Sequence, residues 1–420
     1  MNLKPLWLAL AAALVSQATF TLASNSPVIL VPGLAGSVLQ ERLNRTSAPA
    51  WYCDKTSDWQ TAWLSLSAAA RPVCLLDDLA IFYDPEDKRY KNQTGVDVRA
   101  YDFGGLEGVQ ALDPDLKSAS GTYDALIKGL DDKGYTAGQD LFGAPYDFRL
   151  AADGLTQVGF FEAFKALIQG AVDKNEGKPA VIVGHSMGCL VMLYFLSRQL
   201  PAWRAQYVHA FISVSAPYLG SVTALKGSIS GDNFDITFIP HDLLRPLQST
   251  LPSGPWLFPA PELWGDKVLV QTQSQKYKAA DALQMLQDLN LTQQASVYDI
   301  VHRLTVPMPA LDIPVHCIHG KGVETEDSYF YDIAAFNGKV PPAPNKVTHS
   351  DGDGTVNIAS LQSCKQLGKT VEVHTFNNAS HLGILRDDRA VPYIVDIIAN
   401  PTPSWWSRVQ GRLRKFSGVL

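Results

Sequence analysis

The chain has 420 residues, 46% of them hydrophobic, and a formal charge of −6 at neutral pH. That length suits two domains or one α/β domain with insertions, and the composition is ordinary for a protein with a large core. The acidic balance gives no reason to expect nucleic acid, and no G-x-x-x-x-G-K-[ST] phosphate loop is present.

Residues 1–23 read as a secretory signal peptide, with Lys4 in the charged region, an apolar run over 6–15 and small residues before the cut. The alternative is an uncleaved anchor. No later stretch is long and apolar enough for a transmembrane helix. Residues 28–31 are apolar and β-branched, predicting a buried strand, followed by a loop holding Gly33 and Gly36. In α/β hydrolases such a loop supplies one oxyanion donor, which would be the amide of Leu34. Residues 51–90 crowd Trp51, Tyr52, Trp59 and Trp63 between Cys53 and Cys74. Rings with one apolar and one wettable end suit a membrane surface, so Trp51, Trp59 and Trp63 are expected to contact lipid; the other reading is that they pack on the core. An oxidising compartment would pair Cys53 with Cys74 and Cys317 with Cys364, leaving Cys189 as a buried thiol. Sequons at Asn44, Asn92, Asn290 and Asn378 fit the same route.

Amphipathic helices are predicted over 123–133 and 158–172. Between them, Asp147 and Arg149 either pair or stand solvated. Residues 180–183 predict a buried strand, and 189–197 carry apolar residues at helical density. Between these lies Gly184-His185-Ser186-Met187-Gly188, a G-x-S-x-G in the strand–turn–helix setting of a nucleophile elbow. The flanking glycines leave room for a turn that lifts Ser186 Oγ above the sheet and aims the Met187 amide at a reacting carbonyl. A strand is expected over 209–215. From 223 to about 277 the chain is rich in Gly, Pro, Ser and Asp, which suggests a cap or lid. Strands follow at 311–319 and 371–376, with an acid-bearing turn between them. Residues 401–420 carry Trp405, Trp406, Arg408, Arg412, Arg414, Lys415 and Phe416, readable as a basic surface helix or a frayed tail.

A serine nucleophile needs a histidine base oriented by a buried carboxylate. On this fold the order is Ser, acid, His. Of nine histidines, only His374 and His381 follow the acid-bearing turn. His374 lies within a predicted strand and His381 on the loop after it, which favours His381. Asp353, followed by Gly354-Thr355-Val356, is preferred over Asp351. Ser186, Asp353 and His381 are therefore the expected catalytic residues, with Leu34 and Met187 as oxyanion donors. No H-e-x-x-H-type cluster appears, so neither a catalytic metal nor another cofactor is expected.

These residues resemble the lecithin:cholesterol acyltransferase family, most of all its lysosomal phospholipase A branch. The similarity runs through PVILVPGLAGSVLQERL, WYCDKTSDWQTAWLSL, GVDVRAYDFG, GYTAGQDLFGAPYDFR, GHSMG, YFLSRQ, SGDN, DGDGTVN and the closing His-Leu-Gly-Ile-Leu, in family order. It implies an α/β-hydrolase fold, with a mostly parallel central sheet flanked by helices. The core would be residues 24–50, 91–220 and 311–400, with a disulfide-stapled membrane-binding insertion at 51–90, a cap with a lid at 221–310 and the tail at 401–420. It implies the same triad and cysteine pairs. It also implies a phospholipid acyl hydrolase and O-acyltransferase, passing an acyl chain through an acyl-enzyme to water or a lipophilic alcohol such as a sterol or ceramide. Expected partners are a phospholipid membrane or lipoprotein surface and a lipid acceptor, met by a monomer secreted or held in a lysosomal or vacuolar lumen. A neutral-lipid or soluble-ester lipase is the alternative, and a catalytically silent lipid-binding protein a further one. The chain departs from the family pattern at Gly184, Phe148 and Tyr218-Leu219.

Overall fold

Six short runs of aliphatic and β-branched residues build the central sheet of the computed structural model, which describes residues 25–65, 70–113, 121–233 and 241–400. The expected signal peptide (1–23) and basic tail (401–420) lie outside the described residues. The strands are β1 (Val28–Val31), β2 (Leu141–Gly143), β3 (Ala180–His185), β4 (Val208–Val214), β5 (Val315–Lys321) and β6 (Val371–Asn377). They lie in the order β6-β5-β4-β3-β1-β2, every neighbouring pair parallel. The fold is that of an α/β hydrolase. Parallel strands require crossovers, and these are made largely by helices that cover both faces.

Alternation along the strands sends side chains to two cores. Ile29, Val31 and Ile182 pack on one face with Phe164 and Ile168 of helix Phe160–Lys174 and with helix Met187–Ser197. Val28, Leu30, Val181 and Val183 pack on the other with helices Asp124–Asp131 and Ala390–Ala399. β1 and β3 are neighbours in the sheet although β2 separates them in the chain. Strand order reverses there, and the loops leaving their carboxyl ends diverge to open a crevice.

Three regions differ from the simple division of the chain. The stapled segment is anchored: Gln60–Trp63 pairs antiparallel with Leu39–Leu43, which also pairs with Val96–Ala100. The segment expected to form a cap is joined by residues past 310. Its four-stranded sheet joins Lys276–Lys278 and Val268–Gln271 to Val323–Phe330 and Lys346–Gly352. A short hairpin alone buries too little to persist; here Leu269 and Val270 share a separate core with Tyr329 and Tyr331. Finally, the strand expected from residue 311 starts at Val315, since Pro314 has no amide to give a ladder. Among the described residues, no helix is long and apolar enough to cross a membrane.

Both expected cysteine pairs are closed, Cys53 to Cys74 and Cys317 to Cys364, and Cys189 is a buried free thiol. Burial pushes that thiol up to about 12, so it is inert at ordinary pH. Asp147 and Arg149 pair through two hydrogen bonds of 2.8 and 2.7 Å. Arg149, 1% exposed, also donates to the Leu79 carbonyl and to Asn92 Oδ1. It thus ties the loop after β2 to the stapled segment. Asn44, Asn290 and Asn378 are exposed, whereas Asn92 is half-buried.

Candidate active site

Ser186 sits between β3 and helix Met187–Ser197 with φ 52° and ψ −127°, a conformation that side chains rarely adopt. Its amide donates to the Val214 carbonyl at the end of β4, one of the bonds that hold the turn. Close approach demands glycine at Gly188 and at Gly33 of the neighbouring loop. A Cβ on Gly188 would lie 2.3 Å from the Pro32 carbonyl oxygen, and one on Gly33 would lie 2.8 Å from Ser186 Cβ. The loops after β1 and β3 are therefore pressed together across the sheet's switch point.

His381 Nε2 lies 2.9 Å from Ser186 Oγ, and its Nδ1 lies 2.9 Å from Asp353 Oδ2. The two loops bearing the acid and the base are joined by a 2.7 Å bond from the His381 amide to the Asp353 carbonyl. Asp353 is fully buried, yet its other oxygen accepts from the amides of Val356 and Thr355 at 2.8 and 3.2 Å. Burial favours its neutral form, but the His381 ring and these hydrogen bonds outweigh that and hold the carboxyl below the usual range. An ionised Asp353 places the His381 proton on Nδ1 and leaves Nε2 to accept from serine.

The competing candidates lie elsewhere. Asp351 is exposed and accepts from the Gly322 amide. His374 faces Tyr393, whose hydroxyl is 2.5 Å from its Nε2. Leu34 and Met187 flank the serine. Among the described residues, neither amide donates to another protein atom, which leaves both for a ligand oxygen. Met187 also opens its helix, where backbone dipoles favour negative charge.

Two supports escaped sequence reasoning. His185 is buried beside His381, and its Nε2–H donates to the His381 carbonyl at 2.9 Å. Burial first, then the adjacent His381, pushes its imidazole down to about 3, so it stays a neutral prop. Its place inside the elbow motif carried no signal for this role, because x in G-x-S-x-G is unconstrained. The second is Trp63. The expectation that Trp63 contacts lipid is corrected: the ring is fully buried, edge-on to Phe148, and its Nε1–H donates to the Ala35 carbonyl at 2.8 Å. It braces the loop that carries Leu34. Strand Gln60–Trp63 directs it inward. Trp59 is half-buried, with the Arg99 guanidinium 4.0 Å from its ring centre and that of Arg42 5.1 Å away. Trp51 projects outward, 93% exposed, with Tyr52 beside it.

Ser186 opens into a cavity of about 430 Å³ between the core loops and the cap. Leu34, Pro217, Leu257 and Leu382 line it together with a polar group from the cap. There Lys226 is paired with Glu326 at 2.7 Å and Asp232 at 3.2 Å. Such a volume lies within the usual range for a small-molecule site.

The family model for lecithin:cholesterol acyltransferase matches residues 58–306 and 272–388. Lecithin-cholesterol acyltransferase-like 1 of Arabidopsis thaliana is 34% identical over 394 residues, covering 89% of each chain. The human lysosomal phospholipase A and acyltransferase is 30% identical over 404 residues, covering 94% of this chain and 96% of its own. Mouse phosphatidylcholine-sterol acyltransferase is 32% identical over 380 residues, covering 89% and 85%. Among solved structures, the Tle4–Tli4 complex aligns with a TM-score of 0.56 over 90% of this chain and 99% of that one, at 12% identity, a likeness of fold.

Proposed function

Since the chain belongs to the lecithin:cholesterol acyltransferase family, we propose that it is a serine-dependent phospholipase A and O-acyltransferase, with Ser186, His381 and Asp353 as its catalytic residues. The observation that carries this reading is the unbroken hydrogen-bonded path from Ser186 Oγ through His381 to buried Asp353, opening into the cavity.

Ser186 Oγ attacks an ester carbonyl of a glycerophospholipid while His381 Nε2 takes the hydroxyl proton. The oxygen that gains charge lies against the amides of Leu34 and Met187, each worth about 10²–10³ in rate. Collapse breaks the ester bond, and His381 returns its proton to the departing lysophospholipid oxygen. The acyl-enzyme then meets a second hydroxyl, which His381 deprotonates for attack. Water gives a free fatty acid, and a lipophilic alcohol gives a new ester; Ser186 is regenerated in both cases. Trp51 and Tyr52 favour delivery from a phospholipid surface. The closed disulfides favour an oxidising compartment on the secretory route, secreted or lysosomal.

Labelled phosphatidylcholine liposomes, with and without a sterol or short-chain ceramide, test the proposal. Fatty acid alone is expected without an acceptor, and labelled ester appears when the right alcohol is added. Ser186→Ala must lose both products. Retention of phospholipid cleavage by that variant would reject the assignment, and fatty acid alone with every alcohol would reject the transferase half.

A further inference from the structure

We propose that His316, Glu372 and His374 form a binding site for one transition-metal dication of the zinc type, near the amino ends of β5 and β6. β6 is the edge strand of the central sheet, and in the parallel register His316 is the neighbour of Glu372. His374 follows Glu372 by two residues and so shares its face. The chain thereby puts two imidazoles and a carboxylate on one patch, opposite the face of the Cys317 disulfide. One nitrogen or oxygen of each lies within 4.8 Å of the others.

The spacing suits coordination. Ligand bonds of about 2.0–2.2 Å in a tetrahedral shell place neighbouring donor atoms about 3.3–3.6 Å apart. Here His316 Nδ1 is 3.5 Å, and His374 Nε2 is 3.8 Å, from Glu372 Oε2. His316 Nδ1 is buried and has no hydrogen-bond partner. A buried ring nitrogen aimed at a carboxylate beyond hydrogen-bond length is a poor arrangement for folding alone. A metal bound between them would satisfy it. Two imidazoles and one carboxylate select zinc, cobalt, nickel or copper over calcium or magnesium, which take all-oxygen shells. The Tyr393 hydroxyl lies 2.5 Å from the same His374 Nε2, so that hydrogen bond gives way when the nitrogen takes up a metal. Because both histidines lie within the strands, far from the carboxyl-end loops that carry Ser186 and His381, the metal has no part in acyl transfer. It would fasten the edge strand β6 to β5.

The test is a zinc titration of the full chain after chelator treatment, followed by calorimetry and thermal melting. Substituting cobalt(II) adds a visible absorption that reports a tetrahedral nitrogen–oxygen shell. One zinc per chain is expected, with a rise in Tm. Glu372→Gln and His374→Ala should each weaken binding by at least about tenfold, while His302→Ala, outside the cluster, should not. Glu372 is largely exposed, so Glu372→Gln keeps the fold and the test stands even if a histidine variant is unstable. Absence of stoichiometric zinc, or zinc bound equally by wild type and Glu372→Gln, would overturn the proposal.

Discussion

Replacing Asp353 by asparagine tests the arrangement more sharply than removing the serine. Asp353 Oδ1 accepts from the amides of Thr355 and Val356, and Oδ2 faces His381 Nδ1. An asparagine in this fully buried slot keeps its oxygen toward the two amides, since the reverse would set donor against donor. Its NH2 group then points at His381 Nδ1, which must become an acceptor. The ring proton moves to Nε2, the nitrogen 2.9 Å from Ser186 Oγ, and the base is lost. In serine proteases the equivalent wrong tautomer costs about 10⁴ in kcat, or about 5 kcal/mol. We expect Asp353→Asn to lose about 10³–10⁴ in kcat on a p-nitrophenyl ester, with KM little changed and the circular dichroism spectrum intact. Asp351→Asn, at an exposed position, should stay within about two-fold of wild type. A folded Asp353→Asn enzyme within tenfold of wild type would refute the reasoning, because Asp353 Oδ2 is the carboxylate oxygen that faces His381 Nδ1.

Trp51→Ser should leave turnover of a water-soluble ester intact while slowing cleavage of liposomes and weakening co-sedimentation with them; equal effects on both substrates would count against a lipid contact. Trp63→Ala should lower both rates and stability, by about 3–5 kcal/mol for a buried ring, measured by urea unfolding. Gly188→Ala drives a Cβ into the Pro32 carbonyl, and overpacking of about 1–3 kcal/mol should appear as a lower Tm together with lost activity; unchanged melting would show that the loops can part. Asp78 is raised to about 7, chiefly by burial and then by Glu41, so the folded state binds its proton more tightly than the unfolded state does. The stability this lends is full below about pH 4 and fades as pH rises to about 7. Asp78→Asn, which mimics the protonated form, should therefore raise Tm at pH 7.5 and leave it nearly unchanged at pH 4.5; a loss at both values would mean that the ion pair with Arg45 dominates.

The site was legible where chemistry fixes both residue type and chain order. Ser186, the acid and His381 must follow one another on loops after particular strands, and β-branched runs marked those strands. Asp353 and Asp351 were separable only by the turn that followed. The structure supplies the reason for preferring the former: backbone amides and His381 converge on Asp353, while Asp351 looks outward. Where one residue type serves two purposes, the sequence was silent. Trp51 and Trp63 stand in the same aromatic cluster, yet one is exposed and the other buried, because strand Gln60–Trp63 turns the second inward. Periodicity could not show this, since a four-residue strand offers too few turns of the pleat. β2, only three residues long, was invisible for the same reason. The cap was legible only as an interruption. Its strands come from segments on both sides of β5, and their pairing depends on contacts between Val270 and Tyr329 that no local pattern announces. The same limit hid the His316–Glu372–His374 cluster: His316 lies more than fifty residues before the other two, and only the register of β5 against β6 brings it to them. What proximity in the chain cannot encode, the parallel sheet supplies, and it supplies the crevice over Ser186 by the same reversal of strand order that sets β1 beside β3.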